Sequence, residues 1–124
     1  MLKYRFLVLL VFWFGFITTL SLIELKVKET PNIDQVDKIV HFLFHYILSL
    51  LLLFHLKYDA VFIQVKRIYY FVFFFSLIYG VLIEVLQSAL PVSRDSDFFD
   101  VLANTFGCSV ALLSFSYFLR LKRQ

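Results

Sequence analysis

Four apolar runs, each about as long as a bilayer is thick, share this chain between them. A helix needs roughly 20 mostly apolar residues to cross the hydrocarbon core. Runs at 4–23, 39–56, 68–90 and 98–119 meet that length and take up most of the 124 residues. No room is left for a soluble domain. Composition agrees, with 61% hydrophobic and 17% charged residues, where soluble domains average about 45–50% and about 25%. So short a chain has too little interior to hide that much apolar surface from water. The low hydrophobicity of disordered chains is absent. The expected fold is an all-α, integral membrane four-helix bundle, a single domain over residues 1–124.

Lys3 and Arg5 stand at the start of the first run and invite its reading as a cleaved signal. Its apolar stretch, 6–23, exceeds the usual ~7–15 residues of such signals, and no Ala-x-Ala-like site follows. A retained span is expected. Eight of the twelve Lys and Arg fall on the N-terminal flank up to Arg5, in the 57–67 connection and after the last run. Four, Lys26, Lys28, Lys38 and Arg94, fall on the other side. The positive-inside rule then places both termini in the cytoplasm.

Turn and cap residues mark the boundaries. Thr30-Pro31-Asn32 breaks the chain before the second run, where Asp34 or Asp37 is placed to cap a helix. Pro91 ends the third run, and Ser96 or Asp97 suits the cap of the fourth. Arg120, Lys122 and Arg123 close it, where cations complement the helix dipole. The single Cys108 excludes a disulfide framework and a Cys-based zinc site. It lies in an apolar run, where a thiol packs as a small hydrophobe. The net charge of +3 forms no basic stripe, so nucleic acid is not expected as a partner.

Polar residues inside the runs are few and patterned. An ionisable group at the centre of a spanning helix costs about 2.5–3.5 kcal/mol on insertion scales and is a functional candidate by default. His41, His45 and Ser49 follow at steps of four, on one helical face. Gly80, Glu84 and Gln87 share a face of the third run. Asp97, Asp100, Asn104 and Gly107 share a face of the fourth, with Ala103, Gly107 and Ala111 forming a small-residue ladder nearby. Such ladders let helices approach closely. With the termini inside, Asp37, Lys38, His41, Glu84, Gln87, Asp100 and Asn104 collect at the extracytoplasmic level, with Arg94 in the adjoining loop. His55 alone lies near the cytoplasmic end and reads as an interfacial residue.

Glu84, an acid in an otherwise apolar helix, is the strongest candidate for proton transfer, with His41 beside it. Arg94 and Lys38 suit a phosphate or carboxylate, while Asp37, Asp100, Asn104 and Gln87 suit positioning. His41 and His45 share a face, and Glu84 is a conceivable third ligand. The His-Glu-x-x-His pattern of metalloproteases is absent, however, and catalytic zinc needs three placed ligands. No metal and no cofactor is expected. No Gly-x-Ser-x-Gly elbow and no Gly-rich phosphate loop occurs.

Taken in order, these motifs resemble the VanZ-like family of small bacterial membrane proteins. The resemblance rests on Asp37-Lys38-x-x-His41-Phe42, then Gly80-x-x-x-Glu84-x-x-Gln87. Pro91, Arg94, Asp100-Val101-Leu102-Ala103-Asn104 and Gly107 complete it. It covers the chain from Asp37 to Gly107. His45 departs from the family pattern, which commonly has Tyr there, and so do Ser49 and Cys108. The family is named for a protein associated with teicoplanin resistance. The resemblance implies a multi-pass protein of the bacterial cytoplasmic membrane with a role in the cell envelope. It supplies no reaction.

Two readings follow. In one, the polar cluster binds or acts on an anionic or lipid-linked molecule, with membrane lipid as the surrounding partner. In the other, the chain is a non-catalytic scaffold or accessory subunit whose polar residues hold helices together, each worth about 1 kcal/mol. Catalysis and oligomeric state stay open.

Overall fold

The computed structural model describes residues 4–23, 33–60, 64–89 and 97–124. Four helices account for almost all of them: α1 (Arg5–Leu22), α2 (Ile33–Phe54), α3 (Val65–Ala89) and α4 (Phe98–Leu121). A π-helical turn, His55–Asp59, prolongs α2. All four helices are long and apolar enough to cross a membrane. The all-α, four-helix architecture expected from hydropathy is the one observed, with no strand among the described residues.

Two boundaries differ from the sequence expectation. The second helix begins at Ile33, not near 39, so Asp34 and Asp37 lie inside it instead of capping it. Its polar first turns read as a connection, but carboxylates are welcome at the positive end of a helix dipole. The third helix begins at Val65, taking in Lys66 and Arg67. At α4 the expected cap holds: the Asp97 side chain accepts from the Phe99 N–H at 2.8 Å.

The central helix is α2, which touches all three others and packs most extensively on α4. Gly107 is the reason for that close approach. A Cβ there would run into the Phe42 carbonyl oxygen and lie 3.1 Å from the Phe42 carbonyl carbon. Ala111 of the same small-residue ladder is also buried, and at Gly107 the ladder meets α2.

Apolar packing concentrates at the end where α2 and α4 finish. Leu52, Leu53, Ile68, Val72, Cys108 and Phe115 form a buried cluster. Phe54 meets the edges of Phe115 and Phe118 there and stacks on Phe6, which ties in α1. Cys108 is part of this apolar core. A smaller cluster of Ile17, Leu48, Tyr79 and Ile83 joins α1, α2 and α3 nearer the other end. Only Ile17 of α1 is buried. Polar contacts also hold that helix in the bundle: among them, Trp13 Nε1 donates to the Phe44 carbonyl at 3.2 Å, and the Thr18 and Tyr79 hydroxyls lie 2.7 Å apart. Outward-facing Val8, Phe12, Tyr70, Ile78, Phe106 and Leu113 give the bundle an apolar exterior. That suits lipid and not water.

One terminal contact was not legible in the sequence. Asp59 falls in what read as a connection, yet it is buried. Its Oδ2 accepts from the Leu7 N–H at 3.0 Å and lies 3.1 Å from His55 Nδ1. Leu7 is the third residue of α1, where the backbone N–H has no partner within the helix. Asp59 therefore caps α1 from a distance of 52 residues. His55 is half-buried and serves this cap instead of only facing the interface.

Candidate functional site

The helices run so that the starts of α2 and α4 meet the ends of α1 and α3. Polar residues placed near those termini by helical periodicity arrive at one end of the bundle. His41, Glu84, Asp100 and Asn104 are each at most 5% exposed. They come from three helices.

His41 stands at the centre. Its Nδ1 lies 3.2 Å from Asn104 Oδ1. An amide oxygen only accepts, so Nδ1 carries the proton and donates. The other ring nitrogen, Nε2, then turns toward carboxylates on all three helices. Asp100 Oδ2 is 3.8 Å away, Asp37 Oδ1 3.9 Å and Glu84 Oε1 4.0 Å. These separations are too long for direct hydrogen bonds. Glu84 Oε1 is buried and has no hydrogen-bond partner, while Oε2 accepts from the Asp97 N–H at 3.4 Å.

Lys38 sits at the rim, half in solvent. Its Nζ pairs with Asp97 Oδ2 at 3.3 Å and lies 6.0 Å from the Phe99 ring centre. Asp97 thus caps α4, holds Lys38 and orients Glu84 through its backbone. Gly80 makes room for Asn104: a Cβ there would sit 2.9 Å from Asn104 Nδ2 and 3.2 Å from His45 Cε1.

The structure therefore brings together Asp37, Lys38, His41, Glu84, Asp100 and Asn104. Gln87, expected with them, turns toward α1, where its Nε2 donates to the Ser21 carbonyl at 2.6 Å. That carbonyl lies in the last turn of α1, where acceptors lack helical partners. Arg94 lies outside the described residues, as do Pro91 and Ser96. His45 does not join His41 around the carboxylates; its Nδ1 lies 2.7 Å from Ser76 Oγ. Ser76 escaped sequence reasoning although a signal was present. It stands four residues before Gly80, on the face that carries Glu84. The sequence marks Asp97 only as a cap and a stripe residue; its links to Lys38 and Glu84 need the folded chain.

Such a constellation has two chemical capacities. A buried imidazole next to buried carboxylates is equipped to pass a proton. A histidine nitrogen ringed by carboxylate oxygens is equipped to hold a cation. A family model described as VanZ/LLP1 matches residues 3–120 of the chain. Searches of curated proteins and of solved structures give no match.

Proposed function

The chain belongs to the VanZ-like family, and from that premise we propose that it works in the bacterial cell envelope, on the head of an anionic or lipid-linked molecule. The buried polar end of the bundle is its working site. It faces the extracytoplasmic side of the cytoplasmic membrane, in line with the division of Lys and Arg along the chain. The observation that carries this reading is the convergence of His41, Glu84, Asp100 and Asn104 from three helices into one buried cluster. Helix association alone needs no such concentration of acids, because small residues and single hydrogen bonds suffice. In this reading Glu84 and His41 move a proton, Asp37, Asp100 and Asn104 hold them in register, and Lys38 with Arg94 meets the anionic group. The family name suggests glycopeptide tolerance as the first phenotype to measure.

The test is to make Glu84→Gln, His41→Ala and Arg94→Ala separately in a bacterial host and measure teicoplanin susceptibility and envelope integrity. Loss of the wild-type phenotype at normal membrane levels supports the reading. If all three variants reach wild-type levels and keep the wild-type phenotype, the site is not the working site.

A scaffold role has its own supporting observation, the backbone seam between Gly107 and Phe42. In that case Gly107→Leu abolishes function while Glu84→Gln leaves it intact. The opposite ranking removes the scaffold reading.

A further inference from the structure

We propose that Asp37, His41 and Asp100 hold one divalent cation, of the Mn2+ or Zn2+ class, and that Glu84 receives a hydrogen bond from a water bound to it. The site stands whether or not a lipid-linked molecule reaches it; with the ion bound, His41 is a ligand and proton transfer is left to Glu84.

One ligand atom from each of Asp37, His41 and Asp100 lies within 4.8 Å of the other two. Two donors that share an ion, each about 2.0–2.2 Å from it, lie up to about 4 Å apart. The separations from Nε2 to Asp100 and Asp37 are 3.8 and 3.9 Å. They are too long for direct hydrogen bonds and fit a shared ion.

Orientation adds a second reason. Asn104 Oδ1 lies against Nδ1 of His41 as an acceptor, which leaves Nε2 directed toward the carboxylates. Metal-binding histidines are held in this way, with the far nitrogen donating to a fixed oxygen. Glu84 Oε1 is an independent third reason. It is buried, has no hydrogen-bond partner and faces Nε2 at 4.0 Å. A carboxylate oxygen left so in a low-dielectric interior is costly. A cation-bound water supplies the donor it lacks.

Charge points the same way. The carboxylates of Asp37, Glu84, Asp97 and Asp100 lie about His41 and Lys38. A divalent ion held among them reverses the local field. An acidic pocket repels a phosphate, whereas the same pocket with its cation attracts one. One imidazole and two carboxylates suit Mn2+ or Zn2+, whereas Ca2+ takes six to eight oxygens. Asp37, whose side chain is 23% exposed, forms the open side through which the ion and further ligands reach the site.

The experiment uses the full chain in detergent, stripped with chelator and titrated with Mn2+ by electron paramagnetic resonance and with Zn2+ by calorimetry. One ion per chain is expected. Asn104→Leu, which acts through His41, weakens binding about 10–100-fold. Asp100→Asn and Asp37→Asn, which remove ligands, weaken it further. Asp59→Asn, at the opposite end, leaves it unchanged. Asp37→Asn lies at the rim and carries the least packing risk, so it keeps the test open if Asp100→Asn aggregates. Absence of saturable binding overturns the proposal. So does one-to-one binding that Asp37→Asn retains at wild-type strength, because the ion then sits elsewhere.

Discussion

Replacing Gly107 by Ala adds a single methyl group where the α4 backbone meets the α2 backbone. The new Cβ would run into the Phe42 carbonyl oxygen, with the Phe42 carbonyl carbon at 3.1 Å and its Cα at 3.2 Å. Carbon pairs prefer about 3.5–4.0 Å. All three obstructing atoms belong to the α2 main chain, so no side chain can swing aside. Relief requires α2 and α4 to separate. Overpacking of this kind costs about 1–3 kcal/mol. Ala is the better helix former by roughly 0.5–1 kcal/mol, so the net loss is about 0–2.5 kcal/mol against the wild type and about 1–3 kcal/mol against a Gly→Ala control that gains the propensity without the clash. Separation also reaches the polar end, since His41 is the residue before Phe42 and Asn104 lies three residues before Gly107. The assay is reversible unfolding in detergent micelles, with Gly15→Ala as control because nothing lies within 4 Å of a Cβ there. A Gly107→Ala protein as stable as the control refutes the backbone seam.

At Gly80 the obstruction is side chain and not backbone, with Asn104 Nδ2 at 2.9 Å and His45 Cε1 at 3.2 Å. Gly80→Ala should therefore cost less stability than Gly107→Ala. It should still disturb the 3.2 Å contact of Asn104 with His41, read as a shift of the His41 ring resonances by NMR. Asp59→Ala strips the remote cap from α1 and should cost about 1–3 kcal/mol, the range for leaving a buried donor unsatisfied. Amide exchange should then accelerate at Leu7 first, and unchanged protection there would count against the cap.

Hydropathy and helical period made the four helices and the polar faces readable. The faces, however, say only that residues share a side, not which neighbour they meet. Glu84 and Gln87 stand three apart on α3, yet one turns to α2 and α4 while the other reaches Ser21 of α1. His41 and His45 stand four apart, yet their partners are Asn104 and Ser76. The start of α2 was hidden because Asp34, Asp37 and Lys38 look like a connection when read for hydropathy. In the folded chain, Asp37 and Lys38 join the cluster, where their polarity has partners. The π-helical turn carries no periodic signature, and Asp59 acquires its role only when α1 packs beside it.

The two ends of the bundle divide stability from chemistry. Buried Leu, Ile, Val and Phe side chains cluster where α2 and α4 finish. At the opposite end, acids and an imidazole occupy the interior. Taking ionised groups out of water is costly, and replacing buried ionic groups by apolar ones is often neutral or stabilising by about 1–4 kcal/mol. If the polar end served only to hold helices together, it would be a poor way to do so. Replacing Glu84, Asp100 and Asn104 together by apolar residues of similar size separates the two roles. The apolar end should keep the bundle folded, with stability equal to or above the wild type by reversible unfolding, while envelope function and cation binding disappear. A triple variant that unfolds would show that the cluster is structural after all.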